Sequence, residues 1–465
     1  MRRVMEAARR IARRVHFAAV RKLACLFVFM AVTAHADTTV TLLQFSDYHS
    51  HALPFFTDDG ADQGGIARAI GYIKREKKKG ALAFSGGDMI NKGSPAWSDK
   101  YGCAEWPWLN GVIDAMAFGN HDADYGPEAF AKCKAQLRYP ILSANTSGMQ
   151  RYAVLETKGI RIGVFALAGR DFPSLVKSSG LTFTDPTAAA REVVRELREK
   201  EKVAAVVMIG HQQAEDDFVL AREVPGIDVI FGSHSHRKEE PMLIEGTTTL
   251  FISPSQYLTY IARADMTFKN GRLAGVRGTL VPVGRKLPED KTIAKKVAAM
   301  QKELESDPQY KELFAPIGKL SEPLPTAALA KRIVDLMAEL TKAAFAISTA
   351  STFRQPLPAG TITMETLRAA LPYDNEIVVA EMKGADLHKI IALGEAKRGS
   401  DSAGYMTHLH HIDHEKTYRV ATTDYVAFVA SGYKIFFKDA KQTGFKARGE
   451  LAKTLSGAPP PSAAP

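Results

Sequence analysis

The chain lacks several features that would otherwise settle its class. It has only 3 Cys in 465 residues, too few for a disulfide-knotted scaffold. No run of about 20 uninterrupted apolar residues occurs, which excludes a multi-span membrane protein. No internal repeat is evident. Apolar content is not short: 46% of residues are hydrophobic and 24% charged, which excludes a wholly disordered or collagen-like chain. At about 150 residues per domain, the length implies two or three domains, each able to bury a core.

Positive charge is in apparent excess. A formal net charge of +10 and a pI near 9.2 ordinarily hint at nucleic acid or an anionic surface. Its location changes that reading. Residues 2–22 carry Arg2, Arg3, Arg9, Arg10, Arg13, Arg14, Arg21 and Lys22 against Glu6 alone, followed by an apolar run from Leu23 to Val32 and then Ala34-His35-Ala36. A basic start, a short apolar run and a small-x-small cleavage site together predict a signal peptide over 1–36. Cys25 lies near the start of the apolar run instead of following it, which argues against a lipoprotein anchor. Eight bases and one acid leave with this segment, +7 of the +10, so the mature chain carries +3. The expected product is periplasmic or secreted, with no stable membrane anchor and no nucleic-acid polymer as partner. Cys103 and Cys133 remain, either as a disulfide or as two buried thiols.

Along the mature chain, short apolar strands empty into polar loops. Val40 to Phe45 leads to Asp47-x-His49, and Ala81 to Phe84 leads to Gly86-Gly87-Asp88. Ala115 to Phe118 leads to Gly119-Asn120-His121-Asp122, and Val203 to Ile209 to Gly210-His211. Asp228 to Phe231 leads to His234-x-His236. Strands alternating with helical stretches such as Gly65 to Lys79 predict an α/β layered domain. Ligands in such sheets gather at the carboxyl ends of strands, where these residues fall. Each piece alone is weak. Together they place five of 13 His, with carboxylates and an Asn, at successive strand ends. Imidazole with carboxylate and amide oxygen suits two borderline divalent ions bridged by a shared Asp, and the absence of Cys disfavours a structural zinc site.

The order and spacing of these motifs resemble the calcineurin-like metallophosphoesterases, in particular the secreted 5′-nucleotidase, UDP-sugar hydrolase and 2′,3′-cyclic phosphodiesterase branch. The resemblance runs from about Val40 to Tyr433. It implies an α/β fold, a four-layer β-sandwich flanked by helices, followed by a smaller α+β C-terminal domain. Asp47, His49, Asp88 and His236 would hold one metal; Asp88, Asn120, His211 and His234 would hold the other. The ions could be Mn, Zn, Co, Fe, Ca or Mg. His121 resembles the family histidine that stabilises the transition state or protonates the leaving group, with Asp124 orienting it. Asp122 stands where the family often has Glu. Asn145, in Leu142-Ser-Ala-Asn145-Thr146, is either a loop support for the site or a turn residue.

The predicted division is a metallophosphoesterase domain at 37–286, a solvated interdomain helix and linker at 287–316, a substrate-binding domain at 317–450 and a disordered tail at 451–465. In the second domain, Thr349-Ala-Ser-Thr-Phe-Arg354 aligns with the family's Asn-Gly-Gly-Gly-Ile-Arg. Tyr373, in Leu371-Pro372-Tyr373-Asp374-Asn375, and Tyr425 would sandwich a nucleobase, and Arg354 would pair with phosphate or carboxylate. The departures are Thr349 for Asn, Val429 to Gly432 in place of a glycine-and-aspartate turn, and the absence of the family's Arg/Glu motif around Thr326 to Ala330. Core-packing tyrosines are the alternative. His408, His410, His411 and His414 crowd one loop, as an exposed polar segment or a surface metal site.

The expected activity is hydrolysis of nucleotides or related phosphate esters by attack of a metal-bound hydroxide, in a monomer. The alternatives are a sulfur-ester (thiosulfohydrolase-like) hydrolase or a cyclic-nucleotide phosphodiesterase on the same scaffold, and a non-catalytic periplasmic binding protein.

Overall fold

A computed structural model describes residues 37–176, 179–396, 405–407, 411–430 and 432–457. The expected signal segment, His408, His410 and residues 458–465 lie outside the described residues.

Two six-stranded sheets face each other. The first runs Arg272–Pro282, Tyr260–Lys269, Thr38–Phe45, Leu82–Ser85, Ala115–Ala117, Ile141–Leu142 in spatial order. The second runs Lys238–Leu243, Leu250–Pro254, Val229–Phe231, Ala205–Met208, Ile160–Phe165, Tyr152–Thr157. The central strands of both are parallel. They read as continuous apolar runs because both faces are covered. Val40, Leu42, Phe84 and Ala117 meet Ile162, Val164, Val207 and Phe231 between the sheets. The opposite pleat of the first sheet, Leu43, Phe45 and Met116, packs on Ile66, Ile70 and Ile73 of the helix Ile66–Lys77. Phe165, Val206 and Ile230 of the second pack on Val193 and Val194 of Pro186–Arg195 and on Leu220 of Ala214–Glu223. The result is the four-layer arrangement, with each large side chain so buried worth about 1.5–3 kcal/mol.

The helix Lys291–Ser306 corrects one expectation. It is not a solvated bridge: Ile293, Val297 and Leu304 are buried in the helical layer of the first sheet. Its N-terminus is capped by the Asp290 carboxylate, which accepts from Thr292 N and Ile293 N and also from Lys74 Nζ at 2.7 Å. Three apolar residues at helical spacing suffice to dock it, although the charge around them reads as a solvated face.

The C-terminal part is a five-stranded sheet ordered Tyr405–Met406, Phe345–Ser348, Thr417–Thr423, Glu376–Lys383, Lys441–Lys446. The helix Thr326–Thr341 covers one face and Gly384–Ala396 the other. A second correction falls at its end. The tail expected to be disordered from 451 is helical through Leu455 in Ala447–Leu455, and Leu451 is 1% exposed against Ile333 and Met337. Ala447, Leu451 and Leu455 repeat every four residues and make one apolar stripe. The Pro/Ala/Ser-rich composition begins only after it. Cys103 and Cys133 form a disulfide with Cα atoms 5.9 Å apart.

The two parts are latched beside the carboxyl ends of the first sheet. Ala96 N donates to Glu365 Oε1 at 2.7 Å, Ser94 Oγ donates to the Arg368 carbonyl at 3.0 Å, and the Arg368 guanidinium donates to the Gly93 carbonyl. This latch hangs the loops of the C-terminal part over the polar strand ends.

Candidate metal centre and substrate cleft

The strand-end loops converge because their small residues allow it. A Cβ on Gly119 would lie 2.1 Å from Asp88 N, and one on Gly86 would lie 2.4 Å from Ser46 Oγ. Asp47, His49, Asp88, His234 and His236 all have left-handed backbones, with φ between 47° and 60°. Such residues cost about 1–3 kcal/mol each and persist only where the surroundings over-determine them. The determinants are visible. Asp47 N donates to Gly87 O and His49 N to Asp88 O, interlocking the first two loops. The Asp122 carboxylate accepts from Met89 N and Gly119 N, both at 2.8 Å, and so ties the Asp88 turn to the next loop. His234 N donates to both Asp47 oxygens at 3.2 Å.

Two groups of ligand atoms result. Asp47, His49, Asp88 and His236 offer atoms within 4.8 Å of one another, and so do Asp88, His211 and His234, with Asp88 shared. Asn120, buried beside the second group, has an Oδ1 with no hydrogen-bond partner. That is uncommon for a buried acceptor. His49 Nε2 faces His236 Nε2 at 3.2 Å, a placement two imidazoles share comfortably only around a cation or proton. Nδ1 of His49 donates to the Ile90 carbonyl at 3.2 Å and Nδ1 of His211 to the Gly86 carbonyl at 2.7 Å, leaving each Nε2 free to ligate. The residues present fit two divalent ions.

The electrostatics agree at Asp47, His49 and His236, whereas at His211 burial is outweighed by Asp88 and Asp47, which raise the imidazole to about 9. Burial alone would push Asp47 up, but His236 and His211 outweigh it and hold its carboxyl at about 2. Burial pushes His49 well below the usual imidazole range, and burial with the Arg354 guanidinium takes His236 down to about 4. Anionic carboxylates and neutral imidazoles are the ligating forms. His121 stands on the rim. Its backbone N donates to Asp88 Oδ1 at 2.8 Å and its Nδ1 lies 2.7 Å from Asp124 Oδ2. Burial opposes its charge, but Asp88 and Asp124 overcome this and raise it to about 10.

A cavity of about 450 Å³ opens over these groups. Its floor carries Asp88, Asn120, His121, His234 and His236, and its roof carries Arg354 and Tyr373 from loops and Tyr425 from the short helix Asp424–Phe428 of the C-terminal part. Arg354 reaches down to His236 Nδ1. Tyr433, at the end of the resemblance, is fully buried core. Among the remaining candidates, Asn145 is the loop support: its amide bonds Ala168 N, Ala168 O and Thr184 O at 2.8, 3.0 and 3.1 Å. His411 is exposed, and His414 lies against His388 with ring centroids 4.5 Å apart; neither lines the cleft.

Sequence reading missed Asp171. It lines the cavity and its Oδ2 is 2.8 Å from His234 Nε2. The signal existed, since Gly169-Arg170-Asp171 follows the strand Ile160–Phe165 in the same strand, small residue, carboxylate order.

This centre and cleft define a two-metal phosphoesterase. Residues 40–238 match the calcineurin-like phosphoesterase model, and residues 319–410 match the C-terminal domain of 5′-nucleotidases. The chain therefore belongs to the calcineurin-like phosphoesterases of 5′-nucleotidase type, metal-dependent phosphomonoester hydrolases. It is 26% identical to Protein UshA of Yersinia enterocolitica over 87% of this chain and 88% of that one. It is 27% identical to the 5′-nucleotidase of Vibrio cholerae, over 76% and 75%. Among solved structures, a 5′-nucleotidase precursor from Thermus thermophilus superposes with a TM-score of 0.68 at 22% identity, covering 90% of this chain and 96% of that one. A sulfate thiohydrolase, SoxB, from Thermus thermophilus does so with 0.68 at 19%, covering 90% and 94%.

Proposed function

We propose that the protein is a secreted or periplasmic hydrolase of nucleotides, with residues 37–286 as the catalytic unit and 317–457 as the unit that selects substrate. The observation that carries this reading is the pair of ligand groups sharing Asp88 on the floor of a cavity roofed by Arg354, Tyr373 and Tyr425. In it, Asp47, His49, Asp88 and His236 hold one ion, and Asp88, Asn120, His211 and His234 the other. Two such ions supply Lewis-acid stabilisation at phosphorus and a nucleophilic water at neutral pH. His121, oriented by Asp124, donates a hydrogen bond to the phosphoryl group as negative charge develops or hands a proton to the leaving oxygen. Arg354 neutralises substrate phosphate from the roof, and the two tyrosines hold the base between their faces. No described helix is long and apolar enough to cross a membrane, and the signal segment is what assigns the compartment.

The test is a substrate panel on purified mature protein with added Mn²⁺: AMP, a UDP-sugar, 2′,3′-cyclic AMP, a simple sugar phosphate and a thiosulfate ester. Hydrolysis of AMP or the UDP-sugar, abolished by EDTA and restored by metal, is expected. Turnover of the sulfur ester alone would overturn the nucleotide reading, because the fold is shared by both kinds of neighbour.

A further inference from the structure

We propose that Asp171 is a positioning residue for the second cation: its carboxylate holds His234 with Nε2–H turned outward and Nδ1 free to ligate. The inference rests on the two-metal reading above. The outward-facing nitrogens of His49 and His211 donate to main-chain carbonyls, of Ile90 and Gly86. His234 differs in being backed by a carboxylate, Asp171 Oδ2 at 2.8 Å. With Nε2 committed there, Nδ1 is the nitrogen left for the group formed with Asp88 and His211. A carboxylate partner fixes the tautomer and ring orientation, and raises the basicity of the ligating nitrogen more than a neutral carbonyl does.

The loop is built for that task. Asn145 clamps Ala168 through both its N–H and its carbonyl, and Gly169 N donates to the His211 carbonyl at 2.9 Å. The segment carrying Asp171 is thus tied to another ligand of the same ion. A Cβ on Gly169 would lie 2.6 Å from Asp171 Oδ1, so a side chain there would push the carboxylate from its present place. The Asp171 side chain does not cap the short helix Phe172–Leu175 that it precedes; the main-chain carbonyl of Asp171 accepts from Ser174 N and Leu175 N instead. Replacing the carboxylate therefore leaves the helix start intact. Gln213 Nε2 gives its only other polar side-chain contact among the described residues, at 3.4 Å from Oδ2.

The experiment compares wild type, Asp171→Asn and Asp171→Ala by Mn²⁺ titration against a competing chelator, with electron paramagnetic resonance of the bound ions. Wild type should bind two Mn²⁺ as a spin-coupled pair. In the variants one ion should weaken by about 10- to 100-fold, more for Ala than for Asn, with the other unchanged. The coupled signal should give way to isolated Mn²⁺ at limiting metal. Both the signal and kcat should return at saturating metal. Wild-type affinity at both sites in Asp171→Ala would overturn the proposal, as would equal weakening of both ions or failure of kcat to return. A wild-type protein that binds no pair of ions would instead sink the two-metal reading itself. If Asp171→Ala does not fold, the near-isosteric Asn variant decides.

Discussion

On the floor of the cleft, five ligand-bearing residues sit in left-handed backbone and are interlocked through Gly87, Asp88, Gly119 and Asp122. On its roof, Tyr373 is 42% exposed and Arg354 reaches across to the opposite wall at His236. The difference follows from what each wall must do. Metal ligation tolerates errors of only a few tenths of an ångström, so strain is stored there and locked by several hydrogen bonds. A stacking platform needs an aromatic face at about the right height, and many loop sequences supply one. The floor keeps every ligand position and departs only at Asp122, and the roof carries Thr349 and the segment around Val429 where the family has other residues. On the proposed function, the first wall carries the chemistry and the second chooses among phosphate esters.

The largest effect that could break this contrast is at the shared ligand. Asp88→Asn should remove both ions and lower turnover by well over the roughly 100-fold typical of losing a mere outer partner, read by metal analysis and kcat together. A variant that keeps one full-affinity ion would show that Asp88 does not bridge. His121→Ala should keep both ions and lose about 10²- to 10⁴-fold in kcat; unchanged kcat would remove His121 from the chemistry. On the roof, Tyr373→Ala or Tyr425→Ala should raise KM for AMP about 5- to 150-fold, matching about 1–3 kcal/mol of stacking. KM for a simple sugar phosphate should not move. If both substrates respond alike, the tyrosines pack the fold and hold no base.

The smallest effect sharpens the account of the floor. Tyr48, between the ligands Asp47 and His49, donates its hydroxyl to the buried Glu105. Burial raises the Glu105 carboxyl from 4.5 to about 7, against the hydrogen bond from Tyr48. Because the folded protein holds that proton more tightly than the unfolded chain, stability should fall as pH rises from about 4.5 to about 7, by at most about 3 kcal/mol. Glu105→Gln should flatten this slope in thermal unfolding of the metal-free protein. A slope identical to wild type would mean that Glu105 is ionised throughout.

The ligand set was legible because each member follows a short apolar strand and a small residue, a local pattern that survives without knowledge of the fold. Asp171 obeys the same pattern but stands one strand further on, outside the motifs, and only its distance to His234 marks it. The helix Lys291–Ser306 misled for the opposite reason: three apolar residues among many charges look solvated until a helix is found for them to cover. The tail from 451 misled because a Pro/Ala/Ser-rich end was extended back over a stripe of Ala447, Leu451 and Leu455.

Sequence alone determined the strand-end chemistry, since which side chains follow which strand is a matter of order along the chain. It also set the location of the excess positive charge in residues 1–36. Tertiary structure decided the rest. It joined Cys103 to Cys133, brought two ligand groups from loops up to nearly 190 residues apart onto one Asp88, and set Arg354, Tyr373 and Tyr425 over them. Those outcomes depend on distances between elements, which strand order and periodicity do not encode and which only the packing of four layers against the C-terminal part fixes.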